Sequence, residues 1–216
     1  MSSEIDAQSR FWNDEAEAFS NIYSHDKSRF GRWLDEVFRK DMYERYEFTL
    51  KACEPVAGRS FLDVGCGNGL YSVELGRRGA GTVVGLDIAE GMLERCRTAA
   101  AGAGVDDRCT FIHSDLLNYE PGTKFDVSFG IGLFDYISNP LPVLTKMHAV
   151  TSGPAIMAFP RLGTWRAPVR KVRLTIKGCA VYFYSRKKVD RLIREAGFQN
   201  HSVSRVGKLF CVVATG

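Results

Sequence analysis

The hydrophobic pattern of this chain changes period near residue 55. Before that point, apolar side chains fall at Phe30, Trp33, Leu34, Val37, Phe38, Met42, Tyr46, Leu50 and Cys53. Steps of three and four with charges between them predict an amphipathic helix, and Pro55 and Gly58 stop it. A shorter helix around Phe11, Trp12 and Phe19 precedes it, joined through the loop NIYSHDKSRF, so residues 4–53 read as helical. After residue 55, short apolar runs take over. They predict strands at 60–66, 82–88, 109–115, 125–132 and 154–160. Helices are expected between them at 70–80, ending in Gly79, and at 90–101, stopped by Gly102 and Gly104. A third is expected at 141–150, entered through Pro140 and Pro142.

Strands that alternate with helices argue a parallel sheet built from right-handed crossovers. The strands are almost continuous in apolar residues, as a sheet covered on both faces requires. Residues 161–184 break the rhythm and read as an insertion carrying Trp165, Tyr182, Phe183 and Tyr184. A helix follows at 186–196, and then HSVSRV and KLFCVVAT flank Gly207 and Lys208 as an antiparallel hairpin. The expected fold is α/β, a doubly wound and mostly parallel seven-stranded sheet with a C-terminal antiparallel hairpin and an N-terminal helical cap. The cap takes residues 1–55 and the core residues 56–216, with the insertion inside it.

Composition narrows the class. The chain has 216 residues, 45% apolar and 25% charged, which suits one globular domain with an appendage. No apolar run approaches the roughly 18 residues of a membrane helix. The start, MSSEIDAQSR, has no apolar signal core, so a cytoplasmic address is expected. The six cysteines form no CxxC pair and no Cys/His cluster with zinc spacing. No metal is expected, and the cysteines read as small buried residues, with Cys66 singled out by its place in a glycine-rich loop. The net charge of +4 hides an asymmetry. From Arg161 to Val189 stand nine basic residues and no acid, which leaves 20 basic residues against 25 acids elsewhere. That segment suits an acidic substrate, a nucleic acid or a membrane surface, or is simply a solvated face.

Candidate chemistry begins at FLDVGCGNGL (61–70), between the first strand and the first core helix. Glycines there let the backbone turn sharply and let a ligand lie against the main chain, and the helix start offers free N–H groups. The spacing is GxGxG and not the GxGxxG of dinucleotide sites. An acid, Asp63, stands two residues before it. It would repel a pyrophosphate and attract a cation. Asp87 ends the second strand, where a carboxylate can accept from two ribose hydroxyls, and Asp115 ends the third, within reach of an adenine amino group. Plainer roles stay open: Gly65 as a turn glycine, Asp87 as a helix cap, Asp115 as a turn acid.

LDVGCGNG, VVGLDI, FIHSD and FDVSFGIG, in that order, resemble the successive motifs of class I S-adenosylmethionine-dependent methyltransferases over about residues 58–160. The resemblance implies a Rossmann-like sheet and S-adenosyl-L-methionine as cofactor. By the same resemblance Asp63, Gly65, Gly67 and Gly69 hold the methionine end, and Asp87 and Ile88 hold the ribose and adenine. Asp115 and Leu116 flank the adenine, and Gly130 and Ile131 lie under the methionine part. Tyr23 and Arg45 are further candidates for the donor, Arg45 at its carboxylate.

A sulfonium methyl is already activated, so alignment and water exclusion supply most of the catalysis and a catalytic side chain is not obligatory. The acceptor side is expected from the cap helices, the insertion and the loop LFDYISNP. Candidate catalytic groups are His25, Asp135 and Tyr136, each with a turn, packing or solvated role as its alternative; His113, His148 and His201 read as structural or solvated. The Asn/Asp-Pro-Pro-Tyr/Phe motif of amide N-methylation is missing. A cap of helices plus an insertion after the fifth strand is similar to enzymes acting on quinone, porphyrin or natural-product precursors, with oxygen the expected acceptor atom. RLGTWRAPVRKVRLTIKGCAVYFY suits a planar or anionic acceptor through Arg161, Arg166 and Arg170. Methylation of a small amine or of RNA, or a non-catalytic binding module, are the alternatives, and oligomeric state stays open.

Overall fold

A computed structural model describes residues 8–13, 42–164 and 179–216 of the chain. Residues 8–13 (α1) and 42–52 (α2) are helical. The core then runs β1 (Ser60–Val64), α3 (Leu70–Arg77), β2 (Thr82–Asp87), α4 (Glu90–Ala103) and β3 (Cys109–His113). A short 3-10 turn, Leu116–Asn118, leads to β4 (Val127–Gly130), α5 (Leu141–Val150) and β5 (Ala155–Pro160). After the insertion come α6 (Arg186–Glu195), β6 (Asn200–Val206) and β7 (Leu209–Thr215).

The seven strands form one sheet in the order β3-β2-β1-β4-β5-β7-β6. β1 to β5 are parallel, and β7 lies antiparallel between β5 and β6. The hairpin turns at Gly207, with Val206 opposite Leu209. Alternation along the strands sends successive residues to opposite faces. Phe61, Val83, Phe129 and Ile156 pack with Leu75, Leu93 and Cys96 on one side. Leu62, Val84, Met157 and Val212 pack with Leu144, Met147 and Ile193 on the other. Both faces are buried, as the unbroken apolar runs required. The chain steps outward from β1 to β2 and β3, then returns to β4 on the other side of β1. This reversal leaves a crevice above the carboxyl ends of β1 and β4.

Several boundaries differ from expectation for local reasons. α4 runs through Gly102 and stops at Gly104, whose φ of +65° provides the left-handed cap. A glycine alone does not end a helix; the left-handed residue does. β1 ends at Val64 because Gly65 turns the chain at φ +71°. β4 is shorter than 125–132: Phe125 makes only a single bridge to Thr151, and beyond Gly130 the chain bends through Gly132 at φ +82°. β3 ends at His113, and Asp115 is drawn into capping the turn that follows. The expected helical cap is helical at 8–13 and 42–52; residues 1–7 and 14–41, with Tyr23 and His25, lie outside the described residues, as do 165–178 of the insertion. Among the described residues no helix is long and apolar enough to cross a membrane.

Candidate active site

The glycine loop is tied to β2 before it reaches α3. The N–H groups of Gly65 and Cys66 both donate to Leu86 O, at 2.8 and 2.9 Å. Gly67 N–H donates to Asp87 Oδ2 at 2.8 Å, and Ala89 N–H to Asp87 Oδ1 at 2.9 Å. One carboxylate at the end of β2 thus holds the loop after β1 and also starts the turn into α4. α3 begins on Gly69 in a left-handed conformation, without a side-chain cap hydrogen bond.

The glycines of the loop serve different needs. A Cβ on Gly67 would meet nothing within 4 Å, so its absence leaves open room beside the backbone. A Cβ on Gly69 would stand 3.0 Å from Cys96 Sγ and 3.3 Å from Cys96 Cα. Gly69 is therefore required by the approach of α4. Cys96 Sγ also donates to Gly67 O at 3.0 Å and lies 3.9 Å from Cys66 Sγ. That contact and burial raise the Cys66 thiol well above its usual range.

Asp63 is 2% exposed and accepts a 2.6 Å hydrogen bond from the Ser72 hydroxyl on α3. Burial pushes its pKa up to about 7; the Ser72 bond opposes that, and the nearby Asp87 charge adds to it. Burial also raises Asp87, against the backbone hydrogen bonds from Ala89 and Gly67 that favour its charged form. Asp115 caps the 3-10 turn: Oδ1 accepts from Leu117 N–H at 2.7 Å and Asn118 N–H at 3.1 Å, and Oδ2 from the Asn118 side chain.

These groups surround one cavity of about 340 Å³. Of the residues expected around the donor, Asp63, Gly65, Gly67, Asp87, Ile88, Asp115, Leu116, Ile131 and Arg45 line it. Gly69 and Gly130 do not: Gly69 faces Cys96, and Gly130 packs against Leu133 and Phe134. Asp135 and Tyr136 line the cavity from the loop after β4, with Asp135 only 4% exposed. The remaining described histidines stand elsewhere. His201 bonds Asp190, His148 packs on Phe198, and His113 is exposed beside Glu90. Arg161, expected to pair an anion, donates to Gly207 O at 3.0 Å and lies over the Phe210 ring.

α1, expected as a short cap helix on the acceptor side, forms the roof; what the sequence did not reveal is the set of contacts by which it is held. The Gln8 side chain donates to Tyr136 O at 2.6 Å, and the Ser9 hydroxyl to Ile88 O at 2.8 Å. Asn13 accepts from Gly91 N–H at 3.1 Å. The Trp12 ring packs on Ala89 and Met92 and meets Tyr136 edge-to-face at 5.1 Å. One turn of helix therefore joins the Asp87 side of the cavity to the Asp135 side. Its signal in the sequence was the apolar set Phe11, Trp12 and Phe19. Among the described residues no cluster of three His, Cys, Asp or Glu could hold a metal.

Comparison with known proteins agrees with this geometry. Residues 61–152 match the family described as "Methyltransferase domain". The ubiquinone biosynthesis O-methyltransferase of Ruegeria pomeroyi is 31% identical over 144 residues, 67% of this chain and 55% of that protein. The chain therefore spans about half the length of that relative. The 27-O-demethylrifamycin SV methyltransferase of Amycolatopsis mediterranei is 28% identical over 187 residues, 82% of this chain and 68% of that one. Among solved structures, magnesium protoporphyrin IX methyltransferase from Synechocystis with bound SAH shares the fold at a TM-score of 0.79 and 18% identity, covering 99% of this chain and 100% of that one. Residues 61–152 thus match a methyltransferase domain, and the ordered motifs, the sheet order and these relatives together support a class I S-adenosylmethionine-dependent methyltransferase.

Proposed function

We propose that the protein transfers a methyl group from S-adenosylmethionine to an oxygen of a small-molecule acceptor. The observation that carries this reading is one cavity with Asp87 and the glycine loop at one side and Asp135 with Tyr136 at the other. The residues fit the donor on their own chemistry. Gly67 leaves open space where a side chain would stand, two strand-end carboxylates face the cavity, and no phosphate-binding Gly-Lys-Ser/Thr follows the loop. A volume of about 340 Å³ lies within the usual range for ligand pockets. The names of the relatives, which act in ubiquinone biosynthesis and on a rifamycin, favour oxygen and a small acceptor.

The donor supplies an electrophilic methyl on a sulfonium. The protein's own groups hold and orient what surrounds it. Asp87 keeps lone pairs beyond those used by Gly67 and Ala89, and these suit ribose hydroxyls. Ile88, Leu116 and Trp12 offer apolar walls for a base, with Asp115 at its edge. Asp63, Gly65 and Ile131 surround the other end, and Arg45 supplies a guanidinium for a carboxylate. Asp135 is placed to take the acceptor hydroxyl's proton at its carboxylate, and Tyr136 to wall the same space. The edge-to-face contact of Trp12 with Tyr136 supplies an apolar cover over the cavity, which would help to keep water from the donor. Holding the two reactants together can account for about 7–11 kcal/mol of the barrier. The aromatic roof suits a planar acceptor. Arg161 is engaged at the hairpin turn, and so does not serve an anionic acceptor; Arg166 and Arg170 lie outside the described residues.

Calorimetric titration with S-adenosylhomocysteine tests this reading. The wild type should bind at micromolar concentration and Asp87→Ala should lose at least about tenfold in affinity. Absence of binding by the wild type would remove the proposed function.

A further inference from the structure

The chain leaving the insertion runs beside the loop that carries Asp135 and Tyr136, and it grips that loop through its backbone. Tyr182 N–H donates to Asp135 O at 2.8 Å. The Tyr184 hydroxyl reaches Phe134 O at 3.0 Å and Ile137 O at 3.3 Å, the two carbonyls that bracket Asp135 and Tyr136. Tyr184 is itself fixed from every side. It is 0% exposed, its N–H donates to Pro160 O, and its carbonyl accepts from Leu162 N–H, both at 2.8 Å. Its ring stands edge-on to Phe159 at 5.1 Å, and Lys188 covers it at 4.8 Å. Burial raises the phenol well above its usual range, so the hydroxyl stays a donor at any working pH.

Core packing alone does not require a hydroxyl there, since a phenylalanine would fill the same space. The oxygen serves the loop after β4, at residues 47 to 50 positions away in sequence. We infer that Tyr184 is a positioning residue of the methyl-transfer site, its hydroxyl holding the backbone of residues 134–137 so that Asp135 and Tyr136 face the cavity. This rests on the reading of that loop as the acceptor side. The insertion thereby acquires a role, because its returning end sets the acceptor wall while the donor wall is built by β1 and β2. Donor binding and acceptor alignment are therefore separable at Tyr184.

The test compares Tyr184→Phe with His201→Gln. The second variant replaces the imidazole that bonds Asp190, outside the cavity lining, by a more flexible amide without the ring, and serves as a destabilised control. Backbone amide exchange is read by mass spectrometry on peptides covering 133–139 and 200–215, and S-adenosylhomocysteine affinity by calorimetry. In Tyr184→Phe, exchange at 133–139 should rise about tenfold, the hairpin should keep its rate, and donor affinity should stay within about twofold. With protocatechuate as acceptor probe, kcat should fall while KM for S-adenosylmethionine is kept. His201→Gln should lower the melting temperature without the local effect. Unchanged exchange at 133–139 in Tyr184→Phe, or an equal rise in His201→Gln, overturns the inference. If the wild type fails to bind S-adenosylhomocysteine, the proposed function falls, whereas the exchange comparison still decides whether Tyr184 holds the loop.

Discussion

Asp63 should make the folded protein lose stability as pH rises through the neutral range. It is buried, with a native pKa of about 7 against an ordinary value of 3.8. The native state therefore holds this proton more tightly than the unfolded chain does. Its contribution is full below about pH 4 and is lost as pH rises through about 7. Between about pH 5.5 and about pH 8.5 the loss from this group comes to about 2 kcal/mol. Asp63→Asn keeps the shape and an acceptor for the Ser72 hydroxyl but cannot ionise. Urea unfolding of both proteins at the two pH values isolates the effect, because the other titrating groups are common to both. The wild type should lose about 2 kcal/mol more than the variant over the interval. Ser72→Ala removes the bond that favours the ionised form, so it should move the loss to higher pH. Identical pH slopes for wild type and Asp63→Asn would refute the argument, and Asp63 would then be ionised in its buried place.

Further predictions separate the roles within the site. Gly67→Ala, at φ +55° and facing open space, should cost only about 1–2 kcal/mol of stability and yet weaken S-adenosylhomocysteine binding about tenfold or more in calorimetry. Gly69→Ala drives a methyl to within 3.0 Å of Cys96 Sγ, so its main effect should be on thermal unfolding, at about 1–3 kcal/mol; an unchanged melting temperature would argue against that contact. Trp12→Ala removes the roof packed on Met92 and Tyr136 and should weaken S-adenosylhomocysteine binding severalfold by calorimetry, with a smaller effect from Trp12→Phe.

The sheet was readable because Phe61, Leu62, Val83 and Val84 are apolar on consecutive positions in short runs bounded by glycines, as strands buried on both faces require. The strand-end acids were readable because polar groups at the ends of buried strands stand out. Element ends were harder. Gly102 and Gly104 look alike as letters, and only the backbone angle at Gly104 makes it the cap. The turn role that the sequence left open for Asp115 is realised, with Oδ1 accepting from the Leu117 and Asn118 N–H groups, and the residue lines the cavity as well. Gly69 looked like its neighbours in the loop, but its reason lies with Cys96 on another helix. The approach of Gln8 to Tyr136 spans 128 residues, and no local spacing encodes such a contact. Tyr184 likewise gave no sign beyond its place in an aromatic run.

The burial of all six cysteines gives the molecule a set of internal clocks. Burial lifts Cys53 to about 12 and Cys109 and Cys211 to about 11, so these three sulfurs present almost no thiolate at neutral pH. A thiol reagent then reacts only when a region opens, and its rate at each sulfur measures how often that region does so. Cys66 and Cys96 time the parting of the glycine loop from α4, while Cys211 times the fraying of the far side of the sheet. One labelling experiment on the unaltered chain would rank the breathing of its donor site against the breathing of its frame.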